Sequence, residues 1–168
     1  MSATIQIHEM SALAAGVDKT SGTVRFKDAD NATVDVNNPL VIPAEGTIYS
    51  YTKKVRLYME TPPGTNIQNI RWYSDGSNGF GTGVTITVKN LGVTWGANYK
   101  TAMSGGADLF GKISADPLDG DSVDAGPFVL ADDNSYIGDL IELQMSVAST
   151  AENGALTPET VTVAYDEI

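Results

Sequence analysis

Apolar and polar residues alternate with period two through much of the chain. Ile5 and Ile7 alternate with Gln6 and His8, and Val24 and Phe26 alternate with Thr23, Arg25 and Lys27. Val34 and Val36 flank Asp35. Tyr49, Tyr51, Val55, Leu57 and Met59 share one parity, while Ser50, Thr52, Lys54, Arg56 and Glu60 share the other. Val84, Ile86 and Val88 alternate with Thr85, Thr87 and Lys89, and Ile141, Leu143, Met145 and Val147 with Glu142, Gln144 and Ser146. Val161, Val163 and Tyr165 close the series against Thr160, Thr162 and Ala164. Such alternation places one set on a buried sheet face and the other in water. It predicts seven strands and an all-β fold: an antiparallel β-sandwich, with jelly-roll connectivity as one form of it.

The punctuation agrees. Turn-forming clusters fall at 28–31, 61–64, 75–79 and 152–154, between the alternating segments. Residues 9–15 alone have a helical composition, and Gly16 limits them to a connector of about two turns. Residues 1–9 read as an N-terminal arm. Residues 94–131, rich in Gly and Asp, read as an irregular loop region, and irregular stretches of that length in a compact domain are usually functional or disordered. A length of 168 residues suits a single domain, 1–168.

Composition then narrows the chemistry. There is no cysteine and only one histidine, which excludes disulfides, thiolate chemistry and metal sites needing two imidazoles. No apolar run approaches a membrane span, and residues 1–4 do not read as a secretory leader. The net charge of -11 is unevenly spread. Residues 1–100 hold eight acids against nine bases, while residues 101–168 hold thirteen acids against Lys112 alone. That balance disfavours a nucleic-acid partner and predicts a solvated acidic face.

Four candidate sites carry a chemical reading and a plainer one. Asp116, Asp119, Asp121 and Asp124 have the oxygen ligands of a calcium site but not EF-hand spacing, so a solvated acidic loop is the favoured reading. The glycine-rich residues 76–83 lead from one apolar segment to another instead of into a helix, which suits a hairpin connection better than a phosphate loop. His8, the only imidazole, falls on the polar parity and reads as an exposed surface residue. Asn31-Ala32-Thr33 is a glycosylation sequon, which means little without a leader. No metal, cofactor or catalytic constellation is expected. Tyr58, Phe80, Trp95 and Tyr99 are aromatics whose exposure is open, and exposed rings of this kind stack on sugars.

The segments IPAEGTIYSYTKKVRL (42–57), TPPGTNIQNIRWYSDG (61–76) and VTVAYDEI (161–168) together resemble small β-sandwich virion proteins of tailed bacteriophages, most of all head decoration (capsid cement) proteins. The resemblance is one of strands and turns, and transfers no functional residue. It implies a non-enzymatic structural protein on the capsid surface of the virion, synthesised in the host cytoplasm. Its partner would be the major capsid protein, and the protein itself a homo-oligomer, with a trimer as one form. A phage tail or neck component and a carbohydrate-binding or adhesin-like module are the alternatives. The mix of Arg, Tyr and apolar residues points to Ile5, Ile7, Arg56, Tyr58 and Arg71 as partner contacts, with the acidic segment turned away. On that expectation docking changes little with salt, and deletion of residues 1–9 abolishes it without unfolding the protein.

Overall fold

The computed structural model describes residues 2–34, 36–122, 126–129, 132, 134–153 and 156–168. They form two antiparallel sheets around one apolar core. The strands are β1 (Thr4–Ala12), β2 (Ala15–Asp18), β3 (Thr47–Tyr49), β4 (Lys53–Thr61), β5 (Asn66–Tyr73), β6 (Val84–Asn90), β7 (Ala107–Asp108), β8 (Leu118–Asp119), β9 (Phe128–Val129), β10 (Ser135–Ala148) and β11 (Thr162–Glu167). A short 3-10 turn spans Leu109–Gly111. The larger sheet has the order β2-β1-β4-β10-β6-β7, with β3 also on β10; the smaller has β11-β5-β8, with β9 also on β5.

The core follows from the alternation. Val55, Leu57 and Met59 of β4, Val84, Ile86 and Val88 of β6, and Ile141, Leu143, Met145 and Val147 of β10 face Ile67, Ile70 and Trp72 of β5. Each is nearly fully buried, and each such side chain stabilises the fold by about 1.5–3 kcal/mol relative to exposure. The predicted antiparallel sandwich is the observed architecture.

Several local expectations are corrected. Residues 4–9 are not an arm: Ile5, Ile7 and Glu9 register with Met59, Leu57 and Val55, and Ile5 and Ile7 pack on the core. Nor do residues 9–15 coil; they complete β1 and turn into β2. Val24 and Phe26 pack against the core from an extended segment outside either sheet, while Val34 and Val36 are exposed. Tyr49 and Tyr51 share sequence parity with Val55 but not its face. The chain leaves the β10 ladder after Ser50, where Tyr51 N bonds Lys27 O and Thr52 N bonds Tyr99 O. That break shifts the phase, so that Ile48 opposite Val147 faces the core and Tyr49 opposite Ser146 does not. Residues 76–83 connect β5 to β6, which lie in different sheets, so they are no hairpin.

Two loops finish the molecule. Residues 27–33 are held by Lys53, Lys19 and Lys27, which donate to the successive carbonyls of Asn31, Ala32 and Thr33. Residues 91–106 lie over the outer face of the larger sheet. Buried Gln144 holds them there, donating to Ser50 O and Thr101 O and accepting from Met103 N.

Candidate functional site

The outer face of the larger sheet carries two polar clusters built by the register of β1, β4 and β10. In the first, His8 stacks on Tyr58 with ring centroids 4.8 Å apart and meets the edge of Tyr136 at 5.5 Å. Its Nε2 lies 2.8 Å from Gln6 Oε1 and its Nδ1 3.0 Å from Tyr136 Oη. Since Gln6 Oε1 only accepts, Nε2 carries the proton and Nδ1 accepts from the tyrosine hydroxyl. Burial holds the imidazole below its ordinary pKa, against the opposing pull of Asp18. His8 is therefore not the exposed residue its parity suggested. A Cβ on Gly16 would come within 2.8 Å of Met10 Sδ and 2.9 Å of His8 Cβ, so only glycine lets β2 close over this cluster.

In the second cluster Lys54, from β4, sits opposite Glu142, from β10. The Lys54 and Glu142 side chains are 1% and 3% exposed, with Nζ 2.9 Å from Oε1. The loop at 91–106 closes over them. Lys54 Nζ also donates to Asn98 Oδ1 at 2.8 Å, Tyr99 Oη donates to Glu142 Oε2, and the Trp95 ring stands 5.4 Å from Nζ. Burial, together with the adjacent Glu142 carboxylate, pushes the Tyr99 hydroxyl up to about 12. Of the aromatics considered for sugar stacking, Tyr58 is stacked on His8, Phe80 packs edge-on to Phe110, and Trp95 and Tyr99 belong to this cluster.

The smaller sheet keeps its outer face open. Arg71 registers between Ala164 of β11 and Asp119 of β8, and Tyr73 pairs with Thr162. Arg71 Nη2 lies 2.6 Å from Asp166 Oδ1, and Asn69 Nδ2 donates to Asp166 Oδ2 at 2.7 Å. These contacts, that of Asn69 first, hold the Asp166 carboxyl below its usual range. Beside them is a shallow groove of about 310 Å³, lined by Asn69, Ile70, Arg71, Pro117, Asp119 and Asp121. Burial pushes the Asp121 carboxyl up and Asp119 adds to the effect, while the hydrogen bond from Ile70 N opposes it.

The calcium candidates are not gathered into one site. Asp119 and Asp121 share the groove, Asp116 is paired with Lys112 at 3.0 Å, and Asp124 lies outside the described residues. Among the described residues no three His, Asp or Glu side chains gather as metal ligands.

The five expected partner contacts also fail to form one surface. Ile5 and Ile7 face the core. Arg56 is 6% exposed, with Nε donating to Gly138 O at 2.7 Å. Tyr58 is half-buried beneath His8, and only Arg71 lies on an open face, on the other sheet. The sequence reading missed the Lys54, Asn98 and Glu142 cluster, because parity marks the wet side of a strand but not the loop that later covers it. Comparison with protein-family models, curated proteins and solved structures returned no match.

Proposed function

We propose that the chain is a non-enzymatic structural protein of a tailed-phage virion, a decoration or cement protein that binds the major capsid protein in the assembled shell and stabilises the particle. The observation that carries this reading is the unequal treatment of the two sheets. One has its outer face over β4, β10 and β6 covered by the chain's own loop at 91–106. The other presents β5 and β11 outward, with the Arg71 and Asp166 side chains 41% and 43% exposed beside half-buried Tyr73. A strand surface fixed by ladder hydrogen bonds and bearing Arg and Tyr is of the kind that supplies binding energy at protein interfaces. The resemblance supports the same reading, since two of the resembling segments, 61–76 and 161–168, build this face. Binding to the assembled state alone stabilises that state by mass action, and a symmetric oligomer multiplies the contacts.

The test is co-sedimentation of the purified protein with assembled shells and, separately, with dissociated capsid subunits. It is expected to pellet with shells only, and Arg71→Ala is expected to weaken binding by about tenfold or more. Equal affinity for dissociated subunits, or undiminished binding by the variant, overturns the proposal. Glycan quenching of Trp95 fluorescence that is lost in Trp95→Ala assigns the chain to the sugar-binding class instead.

A further inference from the structure

The Lys54 cluster holds more than an ion pair. Its ammonium is enclosed on the larger sheet with two different partners, the Glu142 carboxylate at 2.9 Å and the Asn98 carboxamide oxygen at 2.8 Å. Asn98 Cγ therefore lies one C=O bond, about 1.2 Å, beyond an atom already touching the amine. On the far side of the carboxamide, Nδ2 donates to Asp30 Oδ1 at 2.6 Å, and Asp30 is exposed to solvent. A nucleophile, an electrophilic carbon, a proton carrier and an exit for the leaving nitrogen are thus gathered in one cluster.

The geometry points to an intramolecular isopeptide bond between Lys54 and Asn98, formed by the folded chain itself with Glu142 as the catalytic proton carrier. Lys54 passes a proton from Nζ to Glu142, and the freed amine attacks Asn98 Cγ to form a C–N bond. Glu142 returns the proton to Nδ2, the Cγ–Nδ2 bond breaks, and the released ammonia takes up the second Nζ proton through Glu142 and leaves past Asp30 as an ammonium ion. The ammonium of Lys54 and the carboxamide of Asn98 become one secondary amide and one ammonium ion, with charge conserved and no oxidant or other reactant consumed. Tyr99, donating to Glu142 Oε2, leaves Oε1 directed at the amine and acts as a positioning residue. Trp95 shields the amine from water on one side. Bond formation depends on the fold, since residues 54 and 98 meet only when the loop at 91–106 is seated on the sheet. The product is a covalent tie between that loop and the central strands, whatever surface the protein binds.

Mass spectrometry of the purified, intact wild-type protein tests this directly. Loss of ammonia lowers the mass by about 17 Da relative to the sequence. In a tryptic digest, cleavage after Lys54 is blocked, and residues 54–56 appear joined to residues 90–100 as one branched peptide. Glu142→Gln and Asn98→Ala are expected to restore the full mass while circular dichroism retains the β signal. The full sequence mass in folded wild-type protein after prolonged incubation overturns the inference, independently of whether either variant folds. So does a deficit of about 17 Da confined to a linear peptide, such as a succinimide at Asn153-Gly154, with normal cleavage after Lys54.

Discussion

The imidazole of His8 has both nitrogens engaged, one donating to Gln6 and the other accepting from Tyr136. A second ring proton finds no acceptor there unless Tyr136 turns its own proton away. Burial disfavours the charged ring, and Asp18 on β2 opposes it. Because the folded-state pKa lies below the ordinary value of 6.5, the unfolded chain takes up the proton first as pH falls. The stability linked to this site is full above about pH 6.5 and is lost as pH falls through the folded-state value. The melting temperature of the wild-type protein is therefore expected to drop between about pH 7 and pH 5 more than that of His8→Gln. Parallel curves for the two proteins would remove His8 from the account. The buried lysines work differently. Lys19, Lys27 and Lys53 place their charges on carbonyls of a loop that has no ladder partner, replacing the water those groups would otherwise need.

Strand β10 contains the irregularity on which both sheets depend. Ile137 registers with Leu57 and Ile141 with Val55, so Gly138, Asp139 and Leu140 stand opposite Arg56 alone. The bulge turns its backbone groups elsewhere: Leu140 exchanges bonds with residues 91 and 92, and Asp139 N bonds Gly120 O, whose own N–H bonds Ile70 O on the other sheet. This chain of backbone bonds links β10 to β5 across the sandwich. Gly138 holds φ at +65°, and a Cβ there would sit 2.8 Å from Gly120 O and from Ile70 Cδ1. Gly138→Ala is expected to cost about 2 kcal/mol, read as a lower urea midpoint with unchanged slope; a midpoint within error of wild type contradicts the role given to the bulge. Such irregularities also mark where the sequence is hard to read. β6 and the second half of β10 are legible, because an unbroken ladder with one buried face imposes strict alternation. β5 is not: Asn69, at φ +54°, stands in the bulge opposite β11 and spaces its core residues as Ile67, Ile70 and Trp72. The polar clusters were legible only as polar parity. Alternation separates two faces but does not say that residues 91–106 fold back over Lys54 and Glu142, that β2 closes over His8, or that the β10 bulge takes up Arg56, so all four read as wet although they are buried.

At the scale of the molecule, the uneven charge along the chain does not become two separate surfaces. The first hundred residues, which hold nine of the ten bases, lose much of that positive charge to the interior, where Lys27, Lys53, Lys54 and Arg56 are buried. Arg71, which remains outside, lies among Asp119, Asp121 and Asp166 of the acidic segment. The open face of the smaller sheet is therefore predominantly acidic around a single guanidinium, and on the proposed function the shell surface that complements it is expected to be basic. This reverses the salt behaviour expected from the sequence. Attraction between exposed charges acts over about 30 Å at 0.01 M salt but only about 8 Å at 0.15 M. Binding to shells is thus expected to weaken as salt rises through that range. Asp166→Asn, which removes one charge from the rim, is expected to flatten the dependence while lowering low-salt affinity only slightly, since an exposed pair contributes about 1 kcal/mol or less. Arg71→Ala is expected to weaken binding at every salt concentration, because it also removes the packed stem and the directional donors at the centre of the face. Co-sedimentation of the three proteins across a salt series separates these effects. A wild-type affinity indifferent to salt, or an Asp166→Asn curve parallel to it, places the contact on some other surface than β5 and β11.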